Sequence, residues 1–257
     1  MRIRVWAMAV ALAATAAGQG ACRAPADGAS AALVKDSTVR SGSASPSAAG
    51  AQAQVPGAAA RVGERTILFV GTSLTAGLGL DPDSAYPARI QRKLDAAGLR
   101  FRVVNAGVSG ETSAGALQRM GWLLRQPVSV LVLETGANDG LRGTPVAETR
   151  ANIQAIIDTV RRVRPEARLV LVQMEALPNL GERYTREFHD TFPLLARRNH
   201  VSLLPFLLEG VAGHAALNQA DGLHPNDAGE RIVASNLWRA LRPVLDSVLA
   251  DSASGGH

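Results

Sequence analysis

The chain has 257 residues, of which 47% are apolar, 19% charged and 4% aromatic. That is enough for one ordinary domain with a sizeable core, and it fits neither an acidic disordered chain nor a surface that stacks nucleobases. The formal charge of +5 is weighted to the start, where residues 1 to 60 hold Arg2, Arg4, Arg23, Lys35 and Arg40 against Asp27 and Asp36; with no dense Lys/Arg stripe in the remainder, no nucleic-acid partner is expected.

Arg2 and Arg4 precede an apolar stretch from Val5 to Ala17, and small residues follow. The stretch is too short for a membrane span and suits an export signal. Residues 1–22 are therefore expected to be a signal peptide and the protein to be exported, to a bacterial periplasm or envelope. The single cysteine, Cys22, excludes an internal disulfide. Two readings of it stay open. It is an unpaired thiol of a secreted chain, or it is the lipidation site of a lipoprotein, which would make the membrane a partner. Gly20-Ala21-Cys22 resembles the end of a lipobox, although Gln19 stands where an apolar residue is expected. Residues 23–62 are rich in Ala, Ser, Gly and Pro, as in Ser41-Gly-Ser-Ala-Ser-Pro-Ser-Ala-Ala-Gly50. Such a segment cannot bury enough apolar surface to offset its ordering entropy, and a disordered linker is expected.

From Arg65 onward, short apolar runs alternate with helical periodicity, the pattern of an α/β domain with a parallel sheet. Strands are expected at Thr66–Val70, Phe101–Val104, Val128–Leu133, Leu169–Met174 and Val201–Leu204. Their near-continuous apolar character suits a sheet covered on both faces. Ile153, Ile156, Ile157 and Val160 form one helical stripe; Ile232, Val233, Leu237, Leu241 and Val244 form another near the end. Right-handed crossovers then give a three-layer α/β/α sandwich around a five-stranded parallel sheet, over residues 63–250, with a flexible tail at 251–257. Arg161 and Arg162 are expected on a solvated helix face.

In such sheets ligands bind outside the carboxyl ends of the strands. Four motifs stand there or in the last loop: Gly71-Thr72-Ser73-Leu74, Asn105-Ala106-Gly107, Gly136-Ala137-Asn138-Asp139 and Asp221-Gly222-Leu223-His224-Pro225. A serine hydroxyl needs an adjacent base to act as a nucleophile, and histidine suits that role near neutral pH. A carboxylate three residues earlier in a glycine-containing turn can hold the ring in the correct tautomer. A glycine N–H and an asparagine amide can stabilise an oxyanion. Taken singly, each has a plainer reading as an N-cap serine, a tight-turn glycine, a turn asparagine or a surface histidine. The G-x-S-x-G elbow is absent, since Thr75 occupies its last position. Ser109 is assigned to a turn.

Ser, Gly, Asn and His in this order, with Asp three before His, resemble the SGNH (GDSL-type) hydrolase superfamily. Within it the chain is similar to the thioesterase I, arylesterase and lysophospholipase group, also through Val104-Asn-Ala-Gly-Val-Ser-Gly-Glu-Thr-Ser113, Glu134-Thr-Gly-Ala-Asn-Asp-Gly-Leu-Arg-Gly143 and Asp221-Gly-Leu-His-Pro-Asn226. The resemblance spans about Thr66 to Leu245. It implies a flavodoxin-like fold and ester or thioester hydrolysis with no cofactor and no metal. It implies Ser73 as nucleophile, His224 as base and Asp221 as its orienting acid. The N–H groups of Ser73 and Gly107 and the Asn138 amide would form the oxyanion hole. The family usually has Asp before the serine; here Thr72 stands there and is expected to brace the turn differently. An acyl groove is expected along the loops Asp139–Pro145 and Glu175–Tyr184, lined by Leu78, Leu141, Ala176, Leu177, Pro178 and Leu180, for a small acyl ester or lysolipid. Two competing expectations are a deacetylase of surface polysaccharide and a non-catalytic lipid-binding protein.

Overall fold

The computed structural model describes residues 64–254. The expected signal peptide, Cys22 and the linker lie outside the described residues. In chain order the elements are β1 (Arg65–Gly71), α1 (Ser73–Ala76), α2 (Tyr86–Ala96), β2 (Phe101–Gly107), α3 (Ser113–Leu123), β3 (Val130–Leu133), α4 (Ala137–Arg142), α5 (Val146–Val163), β4 (Arg168–Val172), α6 (Glu182–Arg198), β5 (Ser202–Leu204) and α7 (Asp227–Ser254). Among the described residues no helix is long and apolar enough to cross a membrane.

All five strands pair in parallel in the order β2-β1-β3-β4-β5. Parallel neighbours need crossovers, and these put helices on both faces. Helices α3, α5 and α6 pack in succession, and α2 packs with α7. The core follows from this burial. Ile67, Phe69, Val130 to Leu133 and Val170 to Val172 are all fully buried, which is why their sequence does not alternate. The α5 stripe of Ile153, Ile156, Ile157 and Val160 faces this core as expected. On α7 the buried line runs through Val233, Leu237, Leu241, Leu245 and Val248, with Ile232 and Val244 at its margins.

The chain reverses its progress across the sheet at β1, whose neighbours are β2 and β3. A crevice opens above such a switch point, because the loops on either side leave in opposite directions. The loops after β1 and β3 meet there.

Strands β1, β3, β4 and β5 start and end within two residues of expectation, and three features differ more. Strand β2 runs three residues further, to Gly107, because Asn105, Ala106 and Gly107 stay in register with Phe69, Val70 and Gly71. Helix α7 continues to Ser254 and takes up the first part of the expected tail, since no Gly or Pro interrupts residues 244–254. Arg161 is not merely solvated: its guanidinium donates to the carbonyl and side-chain oxygens of Asn199 at the end of α6.

Helix α2 lacks a side-chain cap of its own, since its N-cap is Ala85. Glu230, in the first turn of α7, fills the gap by accepting the Tyr86 N–H. Its Oε2 has no hydrogen-bond partner among the described residues. Burial pushes its carboxyl up to about 8; the Tyr86 N–H and Arg89 oppose the shift, and Asp227 adds to it.

Candidate active site

Ser73 stands where β1 turns into the four-residue helix α1. Thr72 is the N-cap, and its Oγ1 accepts the Leu74 N–H at 3.3 Å. Gly77 closes the helix in the left-handed region, at φ +73°. The serine is 8% exposed. Its N–H is one of the first donors of a helix and has no partner among the described residues.

Beneath this turn lies Glu134, the residue after β3, with no exposed surface. Its carboxylate accepts the Thr72 N–H at 2.8 Å, the Thr72 hydroxyl at 3.0 Å and the Thr75 hydroxyl at 2.8 Å. Thr75 gives its one proton to Glu134, so the Tyr86 hydroxyl, 2.6 Å away, must donate to Thr75. Burial first, and the Glu134 charge second, hold the Tyr86 phenol well above its ordinary pKa, which keeps it a donor. Burial likewise raises the Glu134 carboxyl, and the hydrogen bonds from Thr72 and Thr75 pull against that shift. Gly71 admits this packing: a Cβ there would sit 1.9 Å from Thr75 Oγ1 and 2.6 Å from Glu134 Oε2.

His224 arrives from the other end of the domain. His224 Nε2 lies 2.8 Å from Ser73 Oγ, and His224 Nδ1 lies 2.6 Å from Asp221 Oδ2. Asp221 Oδ1 accepts the N–H groups of Leu223 and His224, which fold the loop back on itself. Those backbone donors, and then the His224 ring, lower the Asp221 pKa to about 2. An ionised Asp221 can only accept, so Nδ1 carries the proton and Nε2 is left to accept the Ser73 O–H. Gln219 ties this loop to the Ser73 side: its Nε2 donates to Leu78 O at 2.7 Å and to Pro225 O at 3.0 Å.

Asn138, in the first turn of α4, donates one amide hydrogen to Glu111 O at 2.9 Å and keeps the second. Its neighbour Asp139 is buried and accepts the Ser113 N–H at 2.8 Å, the Ser113 hydroxyl at 2.5 Å and the Thr149 hydroxyl at 3.3 Å. These contacts fasten the start of α4 to α3 and α5.

Gly107 does not fill the role expected of it. Its N–H already donates to Asn105 Oδ1 at 2.9 Å, while Asn105 Nδ2 donates to Thr75 O. A Cβ on Gly107 would sit 2.3 Å from Ala76 N. The glycine is required so that α1 can lie against β2, and an engaged N–H is no oxyanion donor. The following turn offers another. Gly110 is left-handed at φ +77°, its N–H has no partner among the described residues, and its carbonyl accepts Arg142 of α4 at 3.0 Å. Sequence reasoning stopped at the first glycine after the strand pattern. The signal for the second was its place in the Val108-Ser-Gly-Glu111 turn, where Ser109 is a turn residue as expected.

The expected groove residues divide into two banks. Ala176 lies beside Gly140 of α4, and Leu180 beside Gly143. Leu141 is 48% exposed and Leu177 39% exposed near them, with Pro178 exposed beside Leu177. Leu78, 45% exposed, stands apart on the Gln219 side. Glu175 accepts or shares a proton with His189 Nδ1 at 2.7 Å behind the first bank. Among the described residues no group of three His, Cys, Asp or Glu side chains is arranged to hold a metal ion.

Residues 69–232 match the model of the GDSL-like Lipase/Acylhydrolase family. The chain is 39% identical to Esterase TesA of Pseudomonas aeruginosa over 70% of this chain and 90% of that one. It is 36% identical to the Thioesterase 1/protease 1/lysophospholipase L1 of Escherichia coli, over 70% and 85%. Among solved structures, the psychrotrophic esterase EstA from Pseudoalteromonas sp. superposes with a TM-score of 0.68 at 33% identity, over 71% of this chain and all of that one. The chain therefore belongs to the GDSL-like lipase/acylhydrolase family and is a serine ester hydrolase.

Proposed function

We propose that Ser73 is the nucleophile of this hydrolase, with His224 as general base and Asp221 orienting it. The observation that carries the reading is the run from Ser73 Oγ through His224 to Asp221, with separations of 2.8 and 2.6 Å. Ser73 Oγ attacks the acyl carbonyl while His224 Nε2 takes its proton. The oxyanion is met by the Ser73 N–H, the free hydrogen of the Asn138 amide and the Gly110 N–H, donors that are already in place before charge develops. The imidazolium then protonates the leaving alkoxide or thiolate, and an acyl-Ser73 ester remains. Water, activated by the same ring, attacks that ester and releases the acid and the serine.

The substrate class follows from the surroundings. The leucines at 78, 141 and 177 supply exposed apolar surface after α1, on α4 and after β4, which favours a flexible acyl chain of medium length. Aryl esters, lysolipids and acyl thioesters are the proposed substrates, the last two in line with the name of the Escherichia coli relative. On the same reading the chain is exported, and Cys22 either carries a lipid or is an idle thiol.

Labelling with a fluorophosphonate tests the nucleophile. It should modify Ser73 in the wild type and leave Ser73→Ala untouched and inactive. A ladder of acyl esters tests the substrate: medium chains should be turned over better than acetyl, and a strict acetyl preference would support a deacetylase instead. Incorporation of labelled palmitate tests Cys22.

A further inference from the structure

A buried carboxylate sits under the nucleophile turn and takes no part in the reaction sequence above. Glu134 is wholly buried, and its hydrogen-bond donors come from one short stretch, Thr72 to Thr75. The stretch contains Ser73. The residue before Ser73 is held twice, through its N–H and through its hydroxyl. The residue two places after it is held through its hydroxyl. The Thr75 hydroxyl is in turn fixed by Tyr86, itself 1% exposed. No element of this network reaches solvent: Thr72 is 1% and Thr75 0% exposed.

We infer that Glu134 and Thr72 together are positioning residues for Ser73, setting the direction of its N–H and its Oγ through the peptide that joins Thr72 to Ser73. The physical reason is leverage. The Ser73 N–H belongs to the peptide plane whose other half is Thr72, so rotation about the Thr72 backbone would turn the N–H away from the oxyanion and move Oγ off His224. Each hydrogen bond from Thr72 to Glu134 opposes that rotation. A buried acceptor does this better than water, because the competing solvent is absent and the partner cannot exchange. Thr72 also keeps the site free of a second carboxylate next to Glu134, so the acceptor meets donors only. The inference rests on Ser73 being the nucleophile.

Displacements of about 1 Å at a reacting centre can lower rates about 100-fold. Thr72→Val removes one hydroxyl at constant shape and keeps the N–H, and about a tenfold fall in kcat with KM within twofold is expected. Thr72→Ser restores the hydroxyl and should restore kcat to within twofold. Glu134→Leu removes every acceptor and should lower kcat about 100-fold; Glu134→Gln, which keeps one oxygen at the Oε2 position, should fall between that variant and the wild type. Turnover of an aryl ester, the rate of fluorophosphonate labelling and the melting temperature are measured on each full-length chain. A merely structural role would lower the melting temperature of Thr72→Val and leave its kcat and labelling rate at the wild-type value, which would overturn the inference even if Glu134→Leu failed to fold. Ser73→Ala runs alongside. If it retains turnover, the nucleophile assignment is wrong; if it is silent while Thr72→Val is fully active, the positioning role alone is wrong.

Discussion

Glu230 gives the fold a pH dependence whose sign and size can be worked out. Its carboxyl is ordinarily near 4.5 and is pushed up to about 8 in the folded chain. Below 4.5 it is protonated in both states and has no effect. Between 4.5 and 8 the folded chain binds a proton that the unfolded chain has released, so stability falls as pH rises. Above about 8 both states are ionised and the loss is complete. Over about 3.5 pH units at about 1.4 kcal/mol each, this one group removes about 5 kcal/mol between acid and alkaline conditions. That is comparable to the whole stability of many domains. Glu230→Gln keeps an oxygen for the Tyr86 N–H and cannot ionise. Urea unfolding of both proteins at pH 5, 6, 7 and 8 should show the variant gaining on the wild type by about 1 kcal/mol per unit. The offset at pH 5 includes the unpaired amide hydrogens of the new side chain, a penalty of about 1–3 kcal/mol that does not vary with pH. A wild-type-minus-variant difference that stays constant from pH 5 to 8 would refute the reasoning.

Asp221→Asn should fold normally, because its side chain is 45% exposed, yet lose about 10³–10⁴-fold in kcat by favouring the wrong ring tautomer; initial rates and a melting curve check both halves. Since the Asp221 carboxyl is lowered to about 2, it stays ionised through mild acid, and kcat/KM should show no separate inflection between pH 3 and 5. Asn138→Ala should reduce kcat about 10²–10³-fold at little cost in KM. Gly107→Ala should act on stability, through the collision with Ala76 N, and Gly110→Ala on kcat; thermal melts set against turnover distinguish the two, and the opposite pattern would return Gly107 to the oxyanion hole. Leu141→Ala should raise KM for an octanoyl ester several-fold more than for an acetyl ester.

The parts of this molecule that could be read from sequence are those whose cause is local. Val130 to Leu133 are apolar without alternation because both faces of β3 are buried, and the run shows it. Asp221 and His224 are three residues apart, so their pairing is a property of one turn. The end of β2 was hidden, since Asn105 and Gly107 look like a loop until their register with β1 is known. That the Gly107 N–H is taken was hidden for a related reason. Whether an N–H is available depends on what its neighbours take, and it is the Asn105 side chain that engages Gly107. Glu134 has no role legible in sequence, because its donors lie 62 and 59 residues away and nothing beside it announces them.

Ser73 and His224 are 151 residues apart, one at the first turn of the sheet and the other just before the last helix. A chain emerging amino terminus first builds its Ser73 turn, its two acidic anchors at Glu134 and Asp139, and all five of its strands before the proposed base exists. The Gln219 amide that ties the two halves comes just as late. With Ser73, His224 and Asp221 in the proposed roles, the order of synthesis is itself a safeguard: every incomplete chain ending before the final loop would be chemically silent, and hydrolytic power would arrive in a single step when the domain is almost finished.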